Sequence, residues 1–111
     1  MDTDGWIATL PLDDLPEGRS VKTDAAGDQV MLHRSGDTIY AVRNRCTHQG
    51  APLDRGPVKI GGSEATVTCP FHGSTFRLGD GGVMRGPAVD PVQAFETRVT
   101  DGVVEVRQRE G

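Results

Sequence analysis

Cys46-Thr47-His48-Gln49-Gly50 and Cys69-Pro70-Phe71-His72-Gly73-Ser74 hold the only two cysteines of the chain and two of its three histidines, with twenty residues between His48 and Cys69. Each cysteine is followed by a histidine two or three positions later, so the segment offers two S/N half-sites. Two thiolates and two imidazoles complete a four-coordinate metal site, and a structural zinc would accept that donor set. A single disulfide is the other use for two cysteines, but it leaves both neighbouring histidines without a role. Gly50 and Pro52 force a tight loop after His48, and Gly56-Pro57 marks another turn.

Outward from these loops the chain reads as short strands between glycine turns. Upstream, Gly5 to Leu10 is a first strand carrying Trp6, the one tryptophan, as a core anchor. Pro11 to Gly18 is a turn or one short helical turn, limited by Pro16. Ser20 to Thr23 is extended, and Asp24 to Asp28 closes it. Gln29 to Arg34 alternates, with Val30 and Leu32 on one face and Met31 and His33 on the other, which makes His33 a strand-surface residue rather than a ligand. Ser35-Gly36-Asp37 turns the chain into Thr38 to Arg43, which delivers it to Cys46. Between the half-sites, Val58 to Thr68 folds as a hairpin around Gly61-Gly62. Downstream, Ser74 to Leu78 and Val83 to Arg85 flank Gly79 to Gly82. The stretch around Pro87 and Pro91 is an extended loop, since proline cannot donate to a sheet. Ala94 to Val99 and Val103 to Gln108 pair across Asp101-Gly102, with Phe95, Thr97 and Val99 sharing a face. No segment sustains a helical period, and the expected class is all-β.

With 111 residues the expectation is one domain with a small core, since hydrophobic residues make up 35% and aromatics 5%. Such a chain buries roughly 60–70% of its unfolded surface, so ligation of a metal would add to a thin margin. No apolar run approaches the ~18 residues of a membrane span, and the acidic start Met1-Asp2-Thr3-Asp4 does not read as a signal peptide. A cytoplasmic location is expected. The net charge of −4 argues against a nucleic-acid surface. Its distribution is uneven: residues 1–40 hold eight acids and three bases, 41–77 two acids and five bases, and 78–111 six acids and four bases. The metal-binding third is therefore the positive one, and Arg43, Arg45, Arg55 and Lys59 lie within or beside the loops.

The flanks of the half-sites carry more than the ligands do. Thr47, Gly50, Pro70, Gly73 and Ser74 give C-T-H-x-G and C-P-x-H-G-S, and in this the chain resembles the Rieske family of 2Fe-2S proteins. The resemblance implies a small antiparallel Rieske-type β-sandwich with a two-loop cluster-binding subdomain, occupying residues 1–111 with the cluster segment at about 44–90. It implies one 2Fe-2S cluster, with Cys46 and Cys69 on one iron and His48 and His72 on the other. Gly50, Gly73, Ser74, Phe76 and Pro87 would surround the ligands. Two departures stand out. Ala51 and Phe71 occupy the positions of a disulfide that bridges the loops in the cytochrome bc-type members, and Phe76 replaces a tyrosine whose hydroxyl reaches a ligand sulfur there. Both losses point to the lower half of the family's roughly −150 to +300 mV range. The implied activity is one-electron transfer without substrate chemistry, from a flavin reductase to a terminal oxygenase or another redox enzyme. Two other readings remain open here: the small subunit of an assimilatory nitrite reductase, and a zinc-stabilised, non-redox interaction module.

Overall fold

The computed structural model describes residues 5–25, 27–61 and 64–109. Among them are ten strands: β1 (Ile7–Pro11), β2 (Ser20–Ala25), β3 (Asp28–Ser35), β4 (Thr38–Arg43), β5 (Val58–Gly61), β6 (Glu64–Thr68), β7 (Thr75–Arg77), β8 (Val83–Arg85), β9 (Ala94–Thr100) and β10 (Val103–Gln108). The only helical elements described are single 3-10 turns at Leu12–Asp14 and Leu53–Arg55. The all-β expectation holds.

Six strands form one antiparallel sheet in the order β1-β10-β9-β4-β3-β2, and four form a second in the order β5-β6-β7-β8. The larger sheet curls until its edge strands β1 and β2 meet. Its inner face encloses Leu15, Val30, Leu32, Ala41, Phe95, Val104 and Val106. A second core, between β3, β4 and β9 and the smaller sheet, holds Met31, Val42, Leu53, Val67, Phe76, Leu78 and Ala94, together with Cys46 and Cys69. The middle of the larger sheet is thus buried on both faces, and the smaller sheet with its loops forms the cap.

That two-sided burial corrects one expectation. His33 faces away from Val30 and Leu32, as its alternation requires, yet it is only 5% exposed because this face of β3 is also covered. It pairs across the sheet with Ser20 and Tyr40, and the Ser20 hydroxyl lies 2.9 Å from its Nδ1. Trp6 requires the opposite correction. It belongs to neither core and is half-buried, with the Arg98 and Arg107 guanidinium carbons 4.3 and 4.5 Å from its ring centroid. An edge position next to β1 leaves the indole face to cations rather than to aliphatic neighbours.

The turns follow their residues. Ser35 pairs with Thr38, leaving Gly36-Asp37 as a two-residue turn, and β9 reaches β10 through Asp101 and Gly102, both at positive φ as a tight hairpin demands. The β5–β6 hairpin is in register to Gly61↔Glu64; its tip, Gly62 and Ser63, lies outside the described residues.

Candidate metal centre

The loop Cys46–Ala51 leaves the end of β4, and the loop Cys69–Ser74 joins β6 to β7. Their backbones close in the same way. The Gly50 N–H donates to the Cys46 carbonyl (2.8 Å) and the Gly73 N–H to that of Cys69 (3.1 Å). The Cys46 N–H donates to the Ala51 carbonyl (2.8 Å) and the Cys69 N–H to that of Ser74 (2.7 Å). Both glycines need φ near +80° to make this turn, Gly50 at 76° and Gly73 at 80°, a region costly for any residue with a Cβ. The two half-sites are therefore one turn used twice, with the histidine at the third position of the first and the fourth of the second.

This turn separates the donors into layers. Cys46 and Cys69 are buried at 2% and 3% exposure, whereas His48 and His72 lie at the surface with ring centroids 5.3 Å apart, edge to face. Burial pushes the Cys46 thiol up, and the adjoining Cys69 side chain adds to this, while the backbone N–H groups of His48 and Gln49 oppose it. Those N–H groups point at a sulfur that is better satisfied as a thiolate, the form in which a metal takes it.

Several contacts hold the loops in place. Asn44, buried just before the first loop, donates to Gln29 Oε1 and Asp54 Oδ1 (2.8 Å each) and accepts the Asp54 N–H (2.6 Å). The segment after β8 spans both loops: the Ala88 N–H donates to Ser74 Oγ (2.9 Å), and Thr47 Oγ1 donates to the Asp90 carbonyl (2.7 Å). The proline-bearing segment thus lies against both cysteine loops, with Pro87 itself exposed at its turn. Phe76 is wholly buried against the thiol layer's core. Sequence reasoning had no signal for Asn44 beyond a polar residue at a strand end. It read Gly81 merely as a turn residue, yet a Cβ there would collide with the Val92 carbonyl oxygen.

The donors suit a binuclear iron–sulfur group. The two thiols lie beside each other in the buried layer and the two imidazoles beside each other at the surface. Two protein ligands at each of two metals match that division. Ser74 adds a second sign of fit. Its hydroxyl is fully buried and accepts from Ala88, but its own proton has no acceptor among the described residues, which leaves it for a sulfur of a bound group.

A fold of two antiparallel sheets presenting paired Cys/His loops defines an iron–sulfur electron-transfer domain. The chain belongs to the Rieske [2Fe-2S] domain family, whose model matches residues 5–96, and its cofactor is one Rieske-type 2Fe-2S cluster. The ferredoxin subunit of the 3-phenylpropionate/cinnamic acid dioxygenase of Shigella flexneri serotype 5b is 32% identical over 96 residues, covering 86% of this chain and 87% of that one. The ferredoxin of carbazole 1,9a-dioxygenase from Nocardioides aromaticivorans IC177 superposes with a TM-score of 0.84 at 32% identity, covering 95% and 99% of the two chains. A Mycobacterium tuberculosis protein, provisionally assigned as the small subunit of an NADH-dependent nitrite reductase, gives 0.80 at 34% identity and 96% of each chain. A ferredoxin-sized chain from a complex of reduced oxygenase and oxidised ferredoxin in carbazole 1,9a-dioxygenase gives 0.79 at 28%, covering 96% and 97%.

Proposed function

We propose that this chain is the Rieske ferredoxin of an oxygenase system, taking single electrons from a flavin reductase and passing them to a terminal oxygenase, in the cytoplasm. In this reading residues 1–111 form one domain. Cys46 and Cys69 hold one iron, His48 and His72 the other, and Gly50, Gly73, Ser74, Phe76 and Pro87 shape the surroundings. When bound, the cluster supplies one reversible electron at a time. The chain does the rest. Its thiols sit in the dry layer, its loop N–H groups and the Ser74 hydroxyl stabilise negative charge on sulfur, and its two surface imidazoles offer a short path to a partner. The separation of a buried thiol pair from an exposed imidazole pair is the observation that carries the proposal.

Low-temperature EPR of the dithionite-reduced protein, prepared with iron supplied, tests the reading. A mixed-ligand 2Fe-2S signal is expected, and its absence would end the proposal. The likeness to the nitrite reductase small subunit, at comparable identity and coverage, supports a second reading of the partner alone. A neighbouring gene for a sirohaem reductase, rather than for an oxygenase, would favour it.

A further inference from the structure

The surface around the loops carries a charge opposite to that of the whole protein. The net charge is −4, yet Arg45, Arg55 and Arg85 are all exposed at this end. Arg45 immediately precedes Cys46 and lies against Gly50. Arg55 adjoins Gly56, which packs on Thr68 and Pro70 at the entry to the second loop. Arg85 pairs in register with Thr75 at the exit of that loop. None of the three makes a side-chain ion pair among the described residues, whereas Arg43 is held by Asp28 and Arg77 by Asp80. Against these three cations stand Asp90 on the strap, Asp54 beside Arg55 and bonded to Asn44, and Asp80, which Arg77 neutralises; Glu64 lies at the far end of its hairpin.

The same end displays the two most exposed large apolar side chains among the described residues, Val89 at 86% and Phe71 at 63%. Phe71 adjoins His72. Val89 lies between Ala88, tied to the second loop, and Asp90, tied to the first, so the chain is pinned on both sides of an aliphatic side chain that faces solvent. An apolar centre inside a charged rim is the anatomy of a protein-binding patch.

We propose that this end is a cationic docking face for an anionic surface of a redox partner protein, with Val89 and Phe71 at its centre and Arg45, Arg55 and Arg85 at its rim. The inference rests on the proposed electron-carrier function. Charges around the ligand loops act within the roughly 8–10 Å over which salt leaves them unscreened, so they, rather than the distant acidic surface, govern encounters that lead to transfer.

The sign of the salt dependence tests this. The reduced holoprotein is oxidised in a stopped-flow instrument by ferricyanide and, separately, by tris(phenanthroline)cobalt(III), which is cationic. The expected ferricyanide rate falls about two- to tenfold between ~10 and ~200 mM salt while the cobalt rate rises. The opposite pair of trends, set by the net negative charge, would overturn the proposal, as would rates indifferent to salt. Arg45→Glu with Arg85→Glu should reverse the ferricyanide trend, and Lys22→Glu, on an edge strand of the larger sheet, should not. With the acidic haem protein cytochrome b5 as acceptor, Val89→Ser with Phe71→Ser should slow transfer about fivefold or more. Unchanged rates would refute the apolar centre. A preparation without iron–sulfur absorption fails before any kinetics are run and overturns the electron-carrier reading as well. A coloured protein with the wrong salt sign overturns the docking face alone.

Discussion

Replacing Asn44 by alanine should be among the most damaging changes outside the ligands. Its amide makes three bonds, to Gln29 Oε1, to Asp54 Oδ1 and from the Asp54 N–H, at 2.8, 2.8 and 2.6 Å. A neutral bond contributes about 0.5–1.5 kcal/mol net and one to a carboxylate about 1.5–3 kcal/mol, before any loss from partial exposure. Asp54 and Gln29 can each turn partly to water, so about 2–4 kcal/mol is the expected cost. For a domain of this size, that corresponds to a fall in melting temperature of about 8–16 °C. The assay is thermal unfolding of the holoprotein at one scan rate, followed together by far-UV circular dichroism and by visible absorption. Asn44 joins β3, the end of β4 and the 3-10 turn behind the first loop, so the visible signal should be lost at or below the temperature at which the strands melt. A fall of less than about 3 °C, or visible absorption outlasting the strands, would refute the view that this amide latches the loop to the sheet.

Alanine at Cys46, His48, Cys69 or His72 should abolish the visible spectrum, because loading of the site and folding are linked; an unchanged spectrum in any variant removes that residue from the ligand set. His33 is pushed below its ordinary value by burial, so the unfolded chain binds more protons between the folded and unfolded pKa values. Stability from neutral His33 is complete above the unfolded value of about 6.5 and is lost as pH falls through the folded value, and His33→Gln should flatten that acid slope relative to the parent in parallel denaturant titrations. Ser74→Ala should lower the reduction potential, by at most roughly 60–130 mV if a charge-assisted bond of about 1.5–3 kcal/mol acts wholly on the reduced state. Potentiometry showing no change would leave Ser74 with the Ala88 bond as its only role.

What the sequence made legible was whatever short-range geometry dictates. Gly36-Asp37 and Asp101-Gly102 lie where alternating runs must reverse, and both close tight hairpins. The turns of the two cysteine loops were legible for the same reason: a cysteine and a positive-φ glycine four residues on define a closed turn without help from the rest of the fold. His33 and Trp6 were misplaced because their surroundings depend on remote chain. Alternation assigned His33 to the right face of β3, but no local feature says that the second core lies over it. A lone tryptophan at a strand start reads as core, and only the cross-sheet placement of Arg98 and Arg107 makes an edge position tolerable.

Phe76 shows where the two kinds of information meet. The sequence says only that a hydroxyl is absent where a tyrosine stands in high-potential relatives of the family. The structure adds that the ring is wholly buried on β7, paired with Val67 and Val83, within the core that also holds both cysteines. A hydroxyl introduced there must either find an acceptor or remain unsatisfied in an apolar layer, at about 1–3 kcal/mol. An available sulfur would turn that cost into a higher potential; without one, the same oxygen would only destabilise the cap. The phenylalanine avoids this choice and keeps the thiol layer dry. Of the two hydroxyl positions next to the thiols, this leaves only Ser74, whose oxygen is already fixed by Ala88, to tune the site by hydrogen bonding.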